Sequence, residues 1–205
     1  MKKFELTAEF VTNVFGKKLF RIKALVAFGN VEKGELGGFI EKEDNLSHDG
    51  DAWVYGNAQV SGDARVYGNA QVFGNARVYG NAQVSGDARV YGNAQVSGDA
   101  LVSGNARVSG NARVYGDAWV YGNAQVSDDA DYAVVKGFGR CFRTTTFFRC
   151  KDKILRVQCG CFYGDLAQFR EIVKKTHGDS KYAKEYLAIA DLMELHFSDE
   201  CGGEQ

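Results

Sequence analysis

Cys159-Gly160-Cys161 is the tightest cluster of reactive side chains in the sequence, and Cys141, Cys150, Cys201 and His177 lie in the same C-terminal stretch. Thiolates and imidazoles ligate zinc and also form Cys–His nucleophile pairs, so Cys159, Cys161 and His177 are the residues that would carry either chemistry. A single C-x-C lacks the doubled spacing of a structural zinc site, and buried free thiols on strands are the plainer reading. An odd number of cysteines confined to one region is not an extracellular disulfide framework; reduced thiols in a reducing compartment are expected. No metal and no cofactor are expected.

A second constellation is basic. Arg140, Arg143, Arg149, Lys151, Lys153 and Arg156 interleave with Phe142, Phe147 and Phe148, a pattern suited to nucleic acid or to an acidic protein surface. Residues 136–175 hold ten basic and three acidic residues, whereas residues 176–205 hold two and seven. An acidic helix can therefore offset a basic sheet internally while the phenylalanines form its core, so nucleic-acid binding is not favoured. The elements that must position these groups are a hairpin, residues 142–150 and 154–162 around Lys151-Asp152-Lys153, and two helices. Asp165 caps the first helix, which carries Leu166, Phe169, Ile172 and Val173 on one face. Thr176-His177-Gly178-Asp179 breaks it, and Tyr182, Tyr186, Ile189, Met193 and Phe197 form the stripe of the second. Residues 129–205 thus read as a ββαα module, with 199–205 expected to fray.

Upstream, chemistry gives way to periodicity. Residues 51–128 are thirteen six-residue units with no insertion; Ala fills the second position and Val the fourth in all of them, Gly closes twelve, and Asn or Asp opens each. Ala and Val two residues apart face the same side of a strand, and Gly followed by Asn or Asp is a corner. An antiparallel meander would leave thirteen Ala and thirteen Val on one uncovered face, which water does not tolerate. Coiling three units per turn instead points every Val inward, at roughly 1.5–3 kcal/mol for each one fully buried.

These units resemble the hexapeptide-repeat family, with Val54 to Ala58 and Val60 to Ala64 matching its aliphatic-to-small spacing. The resemblance implies a left-handed parallel β-helix, a rod roughly 21 Å long over four and a third coils at ~4.8 Å per coil. Members of that family often trimerise or dimerise. Its acyltransferases use a catalytic His, and its carbonic anhydrases bind metal through three His. Residues 51–128 contain no His, Cys, Glu or Lys, so the family's activities do not carry across.

Stepping by three units lays the outward positions onto three faces. Trp53, Tyr55, Phe73 and Tyr91 form an aromatic stripe on one, and Trp119 and Tyr121 stand on another. Clustered Trp, Tyr and Arg are what interfaces enrich, so these six residues are the expected partner or oligomer contacts. With five Arg and six Asp the repeat region is nearly neutral, neither a DNA mimic nor a phosphate track.

Before the repeats, Phe4, Leu6, Ala8 and Phe10 alternate, as do Phe20, Ile22, Ala24 and Val26, predicting a hairpin around residues 13–17. Ile40 and Leu46 lie twelve and six residues before Ala52, which places them in the repeat's second position as a bulkier capping coil. Three segments result: 1–50 hairpin and capping coil, 51–128 solenoid, 129–205 module. The chain carries a formal net charge of -1, no proline and no apolar run of the roughly 18 residues a membrane span needs, so a soluble intracellular protein is expected. Phe20-Arg21-Ile22-Lys23-Ala24-Leu25, Gly34 to Glu41, Asn45-Leu46-Ser47, Cys159-Gly160-Cys161-Phe162 and Thr176-His177-Gly178-Asp179 give the chain a resemblance to bacteriophage and prophage hexapeptide proteins, which implies the cytoplasm of a bacterial host. That resemblance implies a phage setting. The expected function is a non-enzymatic interaction protein, homo-oligomeric (dimer or trimer) and bound to a protein partner, with inhibition of a host defence system such as a CRISPR effector as the specific role. An enzyme or metal site in the C-terminal module is the alternative.

Overall fold

The computed structural model describes residues 1–198; Cys201 and the stretch expected to fray lie outside the described residues. The chain divides into two compact units, Met1–Asp129 and Ala130–Gln205.

In the first unit every repeat contributes one two-residue strand, from β4 (Trp53–Val54) to β16 (Gln125–Val126). Strands three repeats apart pair in parallel, so Gln71 lies beside Arg89 and Arg89 beside Arg107. The result is a mainly β, parallel β-solenoid of about five turns. All thirteen repeat Ala and all thirteen Val are fully buried. At the corners the twelve closing glycines have φ between 58° and 72°, a left-handed conformation that costs a side-chain-bearing residue about 1–2 kcal/mol. Gly86 shows the second reason for glycine: a Cβ there would lie 3.0 Å from both the N and the O of Gly104, one coil on.

The N-terminal hairpin forms as the alternation predicts, with β1 (Phe4–Thr12) and β2 (Lys18–Ala24) antiparallel around an Asn13 turn whose Oδ1 accepts from the N–H of Phe15 and of Lys17. It does not stand apart from the repeats. β2 pairs with β3 (Leu36–Ile40), and β3 pairs in parallel with β5 (Gln59–Val60) of the repeats, making one seven-stranded sheet.

The position of the capping coil differs from the expectation. Ile40 pairs with Val60, and Leu46 bridges Val66, so both occupy the Val position rather than the Ala position. The reason is an enlarged corner: eight residues separate Leu46 from Val54, whereas six separate successive Val residues in the repeats. Counting back in strict sixes misses the two extra residues. Ile40, Leu46 and Val54 complete the first of the five coils, with bulkier groups closing its core.

Hydrogen bonding gives the solenoid a direction. Each coil donates N–H groups to carbonyls of the next, as Trp53 does to Ala70 (3.0 Å) and Tyr55 to Val72 (2.8 Å). The first coil's own carbonyls therefore need donors from elsewhere. Lys3 Nζ supplies them to Gly50 (3.1 Å) and Ala52 (2.9 Å). A 3-10 turn over Glu43–Asn45 commits the Asn45 N–H to Lys42, and the Asn45 side-chain amide replaces it, donating to Gly62 (3.0 Å) and Ala64 (2.8 Å). At the far end Asp129 accepts from the Arg113 N–H at 2.7 Å.

The second unit is larger in β structure than the ββαα expectation. β17 (Tyr132–Phe138), β18 (Arg143–Arg149), β19 (Leu155–Cys159) and β20 (Phe162–Asp165) form a four-stranded antiparallel meander, followed by α1 (Leu166–His177) and α2 (Lys181–His196). Asp165 caps α1 as read from the sequence, accepting from the Gln168 N–H, and the Gln168 side chain accepts from the Asp165 N–H. The core brings together Phe147 and Val157 from the sheet, Phe169 and Val173 from α1, and Tyr186, Ile189, Met193 and Phe197 from α2 and its end. Tyr182 is exposed and does not join the stripe. No helix among the described residues is long and apolar enough to cross a membrane.

Candidate functional site

The meander's register decides which thiols meet. Thr145 pairs with Cys159 and Phe147 with Val157, so strand alternation turns Cys159 toward the helices, where it packs against the core. Thr145 Oγ1 donates to its sulfur at 3.2 Å. The β19–β20 turn at Gly160 carries Cys161 into solvent beside it.

The turn between β17 and β18 approaches the same place. Gly139, with φ +71, lies so close to the Tyr186 ring that a Cβ would overlap the phenol. Its N–H donates to Glu185 Oε2 at 2.9 Å. That contact brings Arg140 and Cys141 against the end of α1, and His177 stacks on Tyr186 with ring centroids 5.8 Å apart.

These segments line an open cavity of about 400 Å³. Its apolar lining is Phe162, Phe169, Ile172 and Val173, its polar lining is Arg140, Arg143, Thr176, His177 and Tyr186, and Cys141, Cys159 and Cys161 complete it. Burial, reinforced by the neighbouring Cys159 and Cys141, pushes the Tyr186 hydroxyl up to about 12, so it is a neutral phenol at physiological pH. Cys150 lies elsewhere and burial pushes its thiol up to about 11, which makes it a poor nucleophile.

The sequence candidates Cys159, Cys161 and His177 thus line one cavity. They do not converge into a ligand set: among the described residues no group of three or more His, Cys, Asp or Glu is placed to hold a metal ion. His177 makes ring contacts with Tyr182 and Tyr186 rather than a hydrogen bond to a thiol. Sequence reading missed the role of Tyr186 and Thr176, because the site draws on four separated segments. The positive-φ glycines Gly137, Gly139 and Gly160 were the available signal that two turns meet at one end of the sheet.

The basic hairpin splits. Arg140 and Arg143 line the cavity, while Arg149, Lys151, Lys153 and Arg156 sit at the other end of β18, roughly 20 Å away at ~3.4 Å per residue. Arg149 reaches Asp131 (3.8 Å) and the Phe197 carbonyl (3.1 Å), and Arg156 reaches Asp152 (2.8 Å). Phe147 and Phe148 are fully buried, which leaves Phe142 as the exposed member of the expected aromatic set. No continuous stripe of cations and stacking rings results.

On the solenoid, Trp53 is corrected from a surface residue to a core one. Phe28 and Phe4 pack edge-on against it, at 5.3 and 6.2 Å between centroids, and it is fully buried. The repeat pattern turns Trp53 outward, but the N-terminal segment then covers it. Tyr55, Phe73 and Tyr91 stay half-buried on the same face. Phe73 and Tyr91, one coil apart, stack in parallel at 4.8 Å with 1° between their planes. Trp119 and Tyr121 are exposed at 43% and 46%.

The model of the YdcK beta-solenoid repeat matches residues 58–72, 70–86, 82–98, 94–108 and 106–122. This chain is a repeat β-solenoid protein. The matches end inside the solenoid, so neither the N-terminal hairpin nor the C-terminal module is covered by them. No curated protein matches the chain.

Proposed function

We propose that this protein is a non-enzymatic interaction protein whose solenoid is a rigid scaffold and oligomerisation core. The finer form of the fold that goes with this reading is the left-handed hexapeptide coil implied by the family resemblance. The observation that carries the reading is the Phe73–Tyr91 stack on the outer face, an ordered aromatic patch flanked by Arg89. Side chains already held in one stacked geometry have less entropy to lose on contact, and aromatic and Arg residues dominate interface energetics. The repeat region supports binding over catalysis because residues 51–128 offer no His, Cys, Glu or Lys.

The repeat itself supplies a clean test. Serine stands at the fifth position in six of the thirteen repeats, so Phe73→Ser and Tyr91→Ser fit the coil. Light scattering of the native protein should give a multiple of 22.5 kDa, and the double variant should shift toward the monomer mass. A native monomer at micromolar concentration overturns the oligomerisation half of the reading. For the partner half, the resemblance to phage proteins points to a bacterial protein, with a host defence effector such as a CRISPR effector as the specific case. The test there is capture of a purified effector by the native protein and loss of capture by the double variant.

A further inference from the structure

The C-terminal module has five arginines, and three of them are spoken for. Arg149 faces Asp131, Arg156 faces Asp152, and Arg170 binds both Asp191 (2.8 Å) and Glu194 (2.7 Å). Arg140 and Arg143 are the exceptions. Among the described residues neither has a carboxylate within ion-pair distance, and both line the 400 Å³ cavity. Among the described residues, no Asp or Glu lines that cavity. Its lining also includes the apolar side chains of Phe162, Phe169, Ile172 and Val173.

Two arginines without a carboxylate partner, lining one cavity together with apolar side chains, define a ligand by complementarity. We propose that this cavity binds a small organic anion: a carboxylate, sulfonate or phosphate held by Arg140 and Arg143, carried on an aromatic or apolar body seated against Phe162 and Phe169. Guanidinium forks bind such anions through paired, charge-assisted hydrogen bonds, and Arg140 and Arg143 are both exposed and so accessible to a ligand. A volume of about 400 Å³ lies within the range of small-molecule pockets, roughly 300–1,000 Å³.

Two opposing charges must be weighed. The C-terminus of α1 reaches the cavity and carries about half a negative charge, but Lys174 and Lys175 stand in its last turn. Glu185 is near, yet its carboxylate accepts from the Gly139 N–H and faces Lys181 at 3.5 Å. The two full positive charges on the cavity wall prevail. The site lies wholly within the second unit and does not depend on the solenoid interface proposed above.

The test uses the full-length protein and two nearly isosteric probes, 1-naphthoate and the neutral 1-naphthamide, each titrated by competition against 8-anilinonaphthalene-1-sulfonate fluorescence. Naphthoate should bind at one saturable site about tenfold or more tightly than naphthamide, as expected for loss of a charge-assisted pair. Arg140→Gln/Arg143→Gln should remove that preference, while Lys151→Gln/Lys153→Gln, at the far end of the sheet, should retain it. Bound naphthoate should also slow alkylation of Cys161 by iodoacetamide, which places the ligand. Equal affinity for the two probes, or equal loss of preference in both double variants, overturns the proposal. If the arginine variant does not fold, the probe comparison and the Cys161 protection in the native protein decide it.

Discussion

Lys3 offers a sharp test of the first coil because its ammonium is buried and titratable. It is 3% exposed, donates to the Gly50 and Ala52 carbonyls, and lies 4.6 Å from the Phe28 ring centre. Desolvation lowers its pKa from 10.5 to about 8, against the opposing pull of Asp51 and Asp49. Below pH 8 both folded and unfolded chains hold the proton, and the native state bears the cost of burying it. Between pH 8 and 10.5 the unfolded chain holds the proton and the native chain does not, so stability rises with pH through this window. At about 1.4 kcal/mol per pH unit the full gain is about 3 kcal/mol. Lys3→Met removes the titration, although it also strips two carbonyls of their donor and lowers stability overall. The assay is urea unfolding at pH 7, 8, 9, 10 and 11, followed by Trp53 fluorescence in a Trp119→Phe background. The native-minus-variant difference should widen by about 3 kcal/mol across the series, with most of the change between pH 8 and 10. Parallel curves, constant to within about 0.5 kcal/mol, would refute the buried-ammonium account of the cap.

Three further outcomes follow from packing. Gly86→Ala should destabilise the solenoid by more than Gly56→Ala, because both have positive φ (about 1–2 kcal/mol of strain each) but only Gly86 faces backbone on the next coil; paired thermal melts measure the difference. Val90→Ala, fully buried at mid-solenoid, should cost about 2 kcal/mol or more, from two lost methyl groups plus the cavity left in a core that cannot collapse without breaking its strand register. Gly139→Ala should cost the C-terminal module about 2–4 kcal/mol, combining left-handed strain with displacement of the Tyr186 ring. A Tyr186→Leu background should reduce that penalty in a double-mutant cycle, and an unchanged penalty would break the link between this glycine and the cavity.

The solenoid was legible because each repeat states its geometry locally: Ala and Val two residues apart for the inside, Gly-Asn or Gly-Asp for the corner. Legibility failed where a distant or irregular segment intervened. The two extra residues between Leu46 and Val54 shift the capping coil from the Ala position to the Val position, and no strict period shows them. Trp53 carries the outward signature of its repeat, and only Phe4 and Phe28, far back in the chain, bury it. β17 breaks the alternation with adjacent Val134 and Val135 and with Gly137, and β20 is four residues long and runs straight into a helix cap, so neither gives a clear period-two pattern. The thiols and arginines were visible as residues. Their grouping was not, because Arg140, Cys159, His177 and Tyr186 meet only when the β17–β18 turn closes on α2 through Gly139.

The constancy of the repeat also says where specificity can be written. Substituting an interior Ala or Val disturbs the coils above and below, since each stacks on its counterpart through parallel pairs such as Val72, Val90 and Val108. The corner glycine is held by its φ and, at Gly86, by the next coil's backbone. The third and fifth positions are free of both constraints, and they are where the thirteen repeats vary most: Gln, Arg, Trp or Leu at the third, Ser, Tyr or Phe at the fifth, against only Asn or Asp at the first. Whether two aromatics meet on a face then depends on fifth positions three repeats apart. Tyr55, Phe73 and Tyr91 stand in this register and the last two stack, whereas Tyr67 faces Ser85 and Tyr79 faces Ser97. A partner reading this surface therefore reads the order of the repeats rather than their composition. Exchanging Phe73 with Ser85 would leave composition and core unchanged, and should abolish whatever the stacked pair recognises.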